Sequence, residues 1–207
     1  MQEALRSRGF DPGPSDGVFG EKTQAAVQSF QQAQGIEVDG IVGRQTYGQL
    51  GTQATHAIGA AAAATPPAQV QQLASQPGAL GNFLRAALAQ QGDTYRYGAE
   101  VGLDNANPNT FDCSELVEWA AHQAGVHMPD GSMNQLEHIR QAGTQMSVEE
   151  ALRTPGALLF REGANPHVAI SLGDGRTMEA RGRNDGVDIF DGAAGRTWTA
   201  GGRIPGM

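Results

Sequence analysis

The single cysteine of the chain, Cys113, stands where an apolar-periodic run begins. Phe111 and Asp112 lead in, and Cys113, Leu116, Val117, Ala120, Ala121 and Ala124 then recur at helical spacing until Gly125 ends the run. A thiol in the first turn of a helix faces backbone N–H groups without intrahelical partners, at the positive end of the macrodipole. That setting favours the thiolate, the nucleophilic form of the side chain. The same N–H groups could later hold an oxyanion. Cys113 also reads as a small buried hydrophobe, as most free cysteines are. Thiolate attack on a carbonyl further needs a base within hydrogen-bond reach and a third group that orients the imidazole. His167 opens the apolar run His167-Val168-Ala169-Ile170, directly after Pro166. Glu179 follows twelve residues later, across the tight turn Gly173-Asp174-Gly175. A hairpin of that length brings both side chains to one face if the register permits, and a carboxylate beside the ring fixes its tautomer and raises its pKa. Alone, a histidine on an apolar strand is more often structural. A cysteine at a helix start, a histidine at a strand start and an acid across a turn form a rarer combination.

These residues need a scaffold, and the surrounding pattern supplies one. The run ALGNFLRAALAQQG predicts a helix bearing Leu80, Phe83, Leu84, Ala87 and Leu88, followed by a loop at Gly92-Asp93 and then Tyr95-Arg96-Tyr97-Gly98. Ser132 to Ile139 suits another short helix, and VEEALRTPG a helical turn closed by Pro155-Gly156. ALLF, HVAISLG and RTMEAR are strand-like runs separated by glycine turns, with VDIF and GGRIPG as weaker strands. Helices first and strands later predict an α+β domain whose antiparallel sheet faces the cysteine helix.

The first fifty residues are organised differently. Asp16-Gly17-Val18-Phe19-Gly20 with Thr23 returns as Asp39-Gly40-Ile41-Val42-Gly43 with Thr46, each copy a glycine-bearing turn opening into a helix. Three short helices would share one small core of Leu5, Phe10, Phe19, Val27, Phe30, Ile36, Val38, Val42, Tyr47 and Leu50. Asp16 and Asp39 are also what such turns require for conformational reasons alone. Between the two regions, residues 51–78 are rich in alanine, glutamine and proline and hold few large apolar groups, which reads as a linker with His56 solvated in it.

Composition narrows the remaining possibilities. The 207 residues carry a net charge of −8 and are 39% hydrophobic, with no apolar run long enough for a transmembrane helix. No basic stripe interleaved with aromatics is present, which argues against nucleic-acid binding. One cysteine excludes an internal disulfide. The opening MQEALRSRGF lacks the apolar core of a signal peptide, so export would proceed otherwise or a leader has been removed. His122 and His127 are five apart, off a common helix face, and no HExxH pattern occurs, so neither metal nor cofactor is expected. DPGPSDG lacks the alternating oxygen ligands and closing glutamate of a calcium loop. A monomer is the default.

Residues 1–50, through the tandem DG-x-x-G-x-x-T pattern, resemble the three-helix peptidoglycan-binding domain found on many cell-wall hydrolases. The resemblance implies that wall glycan or stem peptide docks near the two turns, at Asp16, Gly17, Asp39 and Gly40. Residues 79–207, through FDCSELVEWAAHQAG, PGALLF, HVAISLGDG and MEA in that order, resemble the NlpC-type cysteine peptidases, papain-like enzymes that cut bacterial stem peptides. By that resemblance the fold is a papain-like catalytic domain beside a small all-α binding domain. Cys113 would be the nucleophile, His167 the general base, Glu179 the orienting third member, and Tyr95 a neighbour of the sulfur that helps bind the scissile carbonyl. Asp112, Ser114, Ser132 and Gln135 would line the substrate site, and Arg181 and Arg183, just past Glu179, are candidates to hold a substrate carboxylate. Tyr95 reads equally as a half-buried aromatic, and Arg181 with Arg183 as a solvated edge. Two positions depart from the family pattern: Glu115 stands where glycine is usual, and Asp130 where arginine often stands. An acid one turn from a thiolate disfavours its charge unless it points to solvent, and at this position it also favours the helix start. The implied activity is D,L-endopeptidase cleavage after γ-D-glutamate by a Cys-His-Glu mechanism, outside the cell or delivered by phage. Amidase cleavage at the glycan–peptide junction, other thiol acyl transfer, and a non-catalytic wall-binding protein remain alternatives. A phage lysin, a toxin and a housekeeping hydrolase all fit the layout.

Overall fold

The computed structural model describes residues 1–15, 20–35, 38, 40, 42, 46, 49–50 and 64–207, in two units that divide between Ala63 and Ala64. In the first unit, α1 (Gln2–Ser7) and α2 (Glu21–Gln34) bury Leu5, Ala26, Val27, Phe30 and Leu50. Phe10 meets Phe30 edge-on at 5.4 Å. Gly35 ends α2 at φ 64°, a left-handed conformation that glycine adopts without strain. The second copy of the repeat is tied to α2 by Gln31. Its Oε1 accepts from the Gly40 N–H at 2.8 Å, and its Nε2 donates to Thr46 Oγ1 at 3.1 Å. Val38, expected in this core, is instead 50% exposed. It lies past the turn at Gly35, where the buried stripe of α2 no longer dictates which side faces inward. Phe19, Ile36, Tyr47, Asp16, Gly17, Asp39 and His56 fall outside the described residues.

The second unit begins earlier than the composition implied. From Ala64 the chain read as linker is structured, with α3 (Ala68–Ser75) packed on α4 (Ala79–Leu88). Val70 is fully buried in the main core. Gln91 Nε2 donates to the Ala64 carbonyl at 3.0 Å, and Arg176 Nη1 to the Thr65 carbonyl at 2.9 Å. Few large groups are needed because the approach is close: a Cβ at Gly81 would stand 2.2 Å from the Gln76 carbonyl oxygen.

Next comes a two-stranded parallel pair, β1 (Thr94–Tyr95) with β2 (Thr110–Phe111). The helices α5 (Cys113–Gln123), α6 (Ser132–Ala142) and α7 (Val148–Arg153) follow or interleave with the strands. The main sheet is antiparallel throughout, in the order β3 (Gln145–Met146), β8 (Ala200–Gly202), β4 (Leu158–Arg161), β5 (His167–Ser171), β6 (Thr177–Gly182), β7 (Gly186–Phe190). Leu116, Val117 and Ala120 of α5 share a core with Val168, Ile170, Met178, Ala180, Val187 and Ile189, one side of the alternating strands. A smaller cluster of Ala151, Ala157 and Leu159 packs with Trp198. The pairs Ile170↔Met178 and Ser171↔Thr177 set the β5–β6 register. Continued by one residue, it places Glu179 opposite Ala169 and diagonal to His167 on the same face. The α+β class and the cysteine helix on an antiparallel sheet match the expectation.

Val70→Ala should cost about 2 kcal/mol, the scale for losing buried methyl groups in a packed core. That lowers the melting temperature of the second unit by roughly 4–8 °C. Calorimetry on the full chain measures it, and an unchanged transition would mean that residues 64–78 are not part of this core.

Candidate active site

Cys113 occupies the first position of α5 because Asp112 caps the helix. Asp112 Oδ1 accepts from the backbone N–H groups of Ser114 at 3.0 Å and Glu115 at 2.9 Å, and from Ser114 Oγ at 2.9 Å. Its Oδ2 accepts from the Gly98 N–H at 3.1 Å. Two first-turn donors that the sequence offered for an oxyanion are therefore engaged by the cap. Gln135, fully buried on α6, donates Nε2 to the Ser114 carbonyl at 2.9 Å and braces the same turn. Phe111 meets Trp119 edge-on at 5.7 Å, fixing the strand that enters the helix.

The β5–β6 hairpin brings the imidazole and the acid together. His167 Nε2 lies 2.5 Å from Glu179 Oε2, and Cys113 is close enough to the ring to raise its pKa. With Nε2 committed to Glu179, Nδ1 is the nitrogen left for the sulfur. Exposure falls along the series, from 9% at Cys113 to 6% at His167 and 1% at Glu179, so the thiol is the outermost member. Burial pulls the His167 pKa down, but the hydrogen bonds and negative charge of Cys113 and Glu179 outweigh it, and the net direction is upward. Burial would raise Glu179. Hydrogen bonds from His167, Arg196 and Thr177 instead hold it below the usual carboxylate range, at about 2.

Tyr95, half-buried on β1, stands beside this group. Burial raises its phenol, and the negative charges of Cys113 and Asp112 add to the effect. Ser132, 7% exposed, opens α6, and Ser114 is equally covered at 7%. Arg181 is exposed, with its guanidinium 4.8 Å from the centre of the Phe190 ring, apart from the Cys113–His167–Glu179 contacts. Arg183 is close enough for its charge to lower the Tyr95 phenol. Gly40, in the first unit, is buried at φ 72° and donates its N–H to Gln31, while Asp16, Gly17 and Asp39 lie outside the described residues.

Glu115 does not point to solvent. It is 5% exposed and accepts from the Val101 N–H at 2.6 Å, tying the loop before β2 to the helix. Burial raises its pKa to about 7, the Val101 bond opposes this, and the charges of Glu118, Asp112 and Asp130 add to it. Glu115, Glu118 and Asp130 bring carboxylate oxygens within 4.8 Å of one another, the single such acidic group among the described residues.

Three contacts escaped the sequence. Arg196 donates to both oxygens of Glu179, Nη1 at 2.5 Å and Nη2 at 3.2 Å. Thr177 Oγ1 donates to Glu179 Oε1 at 2.6 Å. Trp198 stacks on His167, with ring centroids 6.1 Å apart and planes inclined by 21°. Thr177 could have been found as the same-face neighbour two residues from Glu179. Arg196 and Trp198 sit in a run of glycine, alanine and threonine without periodicity, and nothing there announced them. Chemically, a thiol beside an imidazole that is backed by an ionised carboxylate can attack a carbonyl and pass a proton to a leaving amine.

A family model described as NlpC/P60 matches residues 92–200, and one described as a putative peptidoglycan binding domain matches residues 1–50. The peptidoglycan endopeptidase RipB of Mycobacterium tuberculosis is 35% identical over 174 residues, which cover 80% of this chain and 69% of RipB. The bifunctional muramidase/DL-endopeptidase CwlT of Bacillus subtilis is 31% identical over 114 residues, 52% of this chain and 30% of CwlT. An NlpC/P60 family protein of Bacillus cereus, solved as a crystal structure, shares the fold at a TM-score of 0.50 and 21% identity, covering 62% of this chain and 40% of that one.

The folded-state pKa of Glu115, about 7, lies above its ordinary 4.5. The folded chain therefore holds more protons than the unfolded chain between those values, and this side chain makes stability fall as pH rises through the window. Glu115→Gln keeps an acceptor for Val101 and removes the charge. Its melting temperature should exceed that of the wild type above pH 7, with the gap closing by pH 4.5. A gap that does not change across that pH range would place the Glu115 carboxyl in ordinary solvent.

Proposed function

Because the chain belongs to the NlpC/P60 family, we propose that its second unit is a peptidoglycan hydrolase whose thiol cuts stem peptides after γ-D-glutamate. The single observation that carries this reading is the grouping of Cys113, at the head of a helix, with a His167 ring that is hydrogen-bonded to Glu179. RipB, a peptidoglycan endopeptidase by name, is aligned over most of this chain, and the DL-endopeptidase activity named for CwlT favours that bond class. Cys113 gives its proton to His167 and attacks the γ-glutamyl carbonyl. The carbonyl π electrons move to oxygen, and Tyr95, whose phenol is near Cys113, would donate to the oxyanion. Collapse expels the amine of the following residue, which takes the proton from His167 Nδ1 and leaves a thioester. Water, deprotonated by His167, then attacks the thioester, and the thiolate departs. Glu179 keeps the proton on Nε2 throughout, so that Nδ1 is the reactive nitrogen. The first unit, matched by the peptidoglycan-binding model, would hold the enzyme on the polymer and raise the effective substrate concentration. The site of action is then the wall, outside the cytoplasm.

Purified peptidoglycan incubated with the chain should release peptides whose masses report a new γ-D-glutamyl terminus. Cys113→Ala should release none, and Glu179→Gln should slow release by roughly 10²-fold, since an orienting member costs less than the nucleophile. Fragments ending at the lactyl–alanine junction would instead identify an amidase, and the absence of any Cys113-dependent fragment would leave a wall-binding protein.

A further inference from the structure

Glu179 has two cationic neighbours, and only one of them keeps its charge through a catalytic cycle. In the mechanism proposed above, His167 becomes neutral each time it releases its proton. At that point a carboxylate that is 1% exposed would face a neutral ring, a state that burial disfavours. Were Glu179 to take a proton, it would become a donor to Nε2. His167 would then carry its hydrogen on Nδ1, the wrong tautomer to act as base toward water. A guanidinium does not lose its proton in proteins and spans both oxygens of a carboxylate.

We propose that Arg196 is a positioning residue for the thiol chemistry, acting through Glu179, and that Trp198 holds it in place. This rests on the Cys113–His167–Glu179 reading and adds a member from a segment no motif covers. Arg196 reaches Glu179 with two donors, and its side chain is only 19% exposed. The same guanidinium lies 4.4 Å from the centre of the Trp198 ring, and that ring stacks on His167. One indole therefore contacts both cationic neighbours of Glu179. The indole is itself fixed: its Nε1 donates to the Ala193 carbonyl at 2.9 Å, closing the turn Ala193–Gly195 that aims Arg196 inward. Thr177 completes the set by donating to Oε1. The carboxylate is thereby fixed as an acceptor, and its remaining direction is the one His167 uses.

The rate of Cys113 alkylation by iodoacetamide against pH tests this without depending on substrate identity. In the full-length chain, alkylation should be fast below the pH at which a free thiol reacts. Arg196→Gln should slow it about tenfold at pH 6 and move the rise upward by about one pH unit, one unit being a tenfold change. In a Glu179→Gln background the same substitution should add nothing, because its target is gone. Arg196→Lys, which keeps the charge but loses the two-pronged geometry, should fall between. An Arg196→Gln profile equal to the wild type, or an equal slowing in both backgrounds, overturns the proposal. Where Arg196→Gln fails to fold, the Lys variant decides in both backgrounds on the same criteria. A wild-type thiol that shows no early rise at all overturns the nucleophile reading instead, and this proposal with it.

Discussion

A single carboxylate, almost wholly removed from water yet held ionised, is the constraint on which the second unit's chemistry depends. Glu179 receives hydrogen bonds from Thr177 and Arg196 and shares one with His167. Each partner comes from a different level of organisation. Thr177 is a same-face neighbour within β6, His167 is delivered by the register of β5 on β6, and Arg196 arrives from the connection between β7 and β8. A slip of one residue in that register would send Glu179 to the opposite face, beside Val168 and Ile170, with no donor to meet it. The apolar side of the hairpin thus enforces the polar side: packing of Val168, Ile170 and Met178 against α5 sets where the acid must point.

The start of α5 shows a second use of the same logic. A thiolate there would benefit from all the unpaired N–H groups of the first turn, but Asp112 takes two of them. In return the helix start is held to the turn after β1 through Gly98, so the sulfur's position is defined. Gln135 adds a brace from α6, and its burial makes it part of the support rather than a surface open to ligand. Precise placement of the nucleophile is obtained at the expense of part of the helix field. For a reaction that depends on distances of a few tenths of an ångström, that is a reasonable exchange.

Much of this was legible in the chain itself, for identifiable reasons. Periodicity located α2, α4 and α5, because helices that bury one stripe must repeat their apolar residues. Parity of spacing within a tight hairpin paired His167 with Glu179. The two-residue strands β1 and β2 were not legible, since so short a parallel pair leaves no alternation to read. Residues 64–78 were misread because composition measures how much apolar surface a segment has, while docking depends on whether a closely fitting neighbour exists. Val70, Leu73 and alanines, with the close approach at Gly81, were enough. Arg196 and Trp198 were invisible for a related reason: a long-range contact made from an irregular segment has no local period.

Glu115 and Glu179 carry the same side chain, and both are buried, at 5% and 1% exposure. One has its pKa raised to about 7 and the other lowered to about 2. Burial acts on both in the same direction, so the difference comes from what faces each carboxylate. Glu179 meets a guanidinium, an imidazole and a hydroxyl, whereas Glu115 meets one backbone N–H and the acids Glu118, Asp112 and Asp130. The first arrangement preserves a charge where the proposed mechanism needs one. The second accepts a destabilising carboxyl within three residues of the thiol, and its opposition to negative charge at that helix start weakens as it takes up a proton. Two glutamates that the sequence presents as equivalent acids are thus distinguished by what faces each, and the two cations that hold Glu179 ionised, His167 and then Arg196, both come from other elements of the fold.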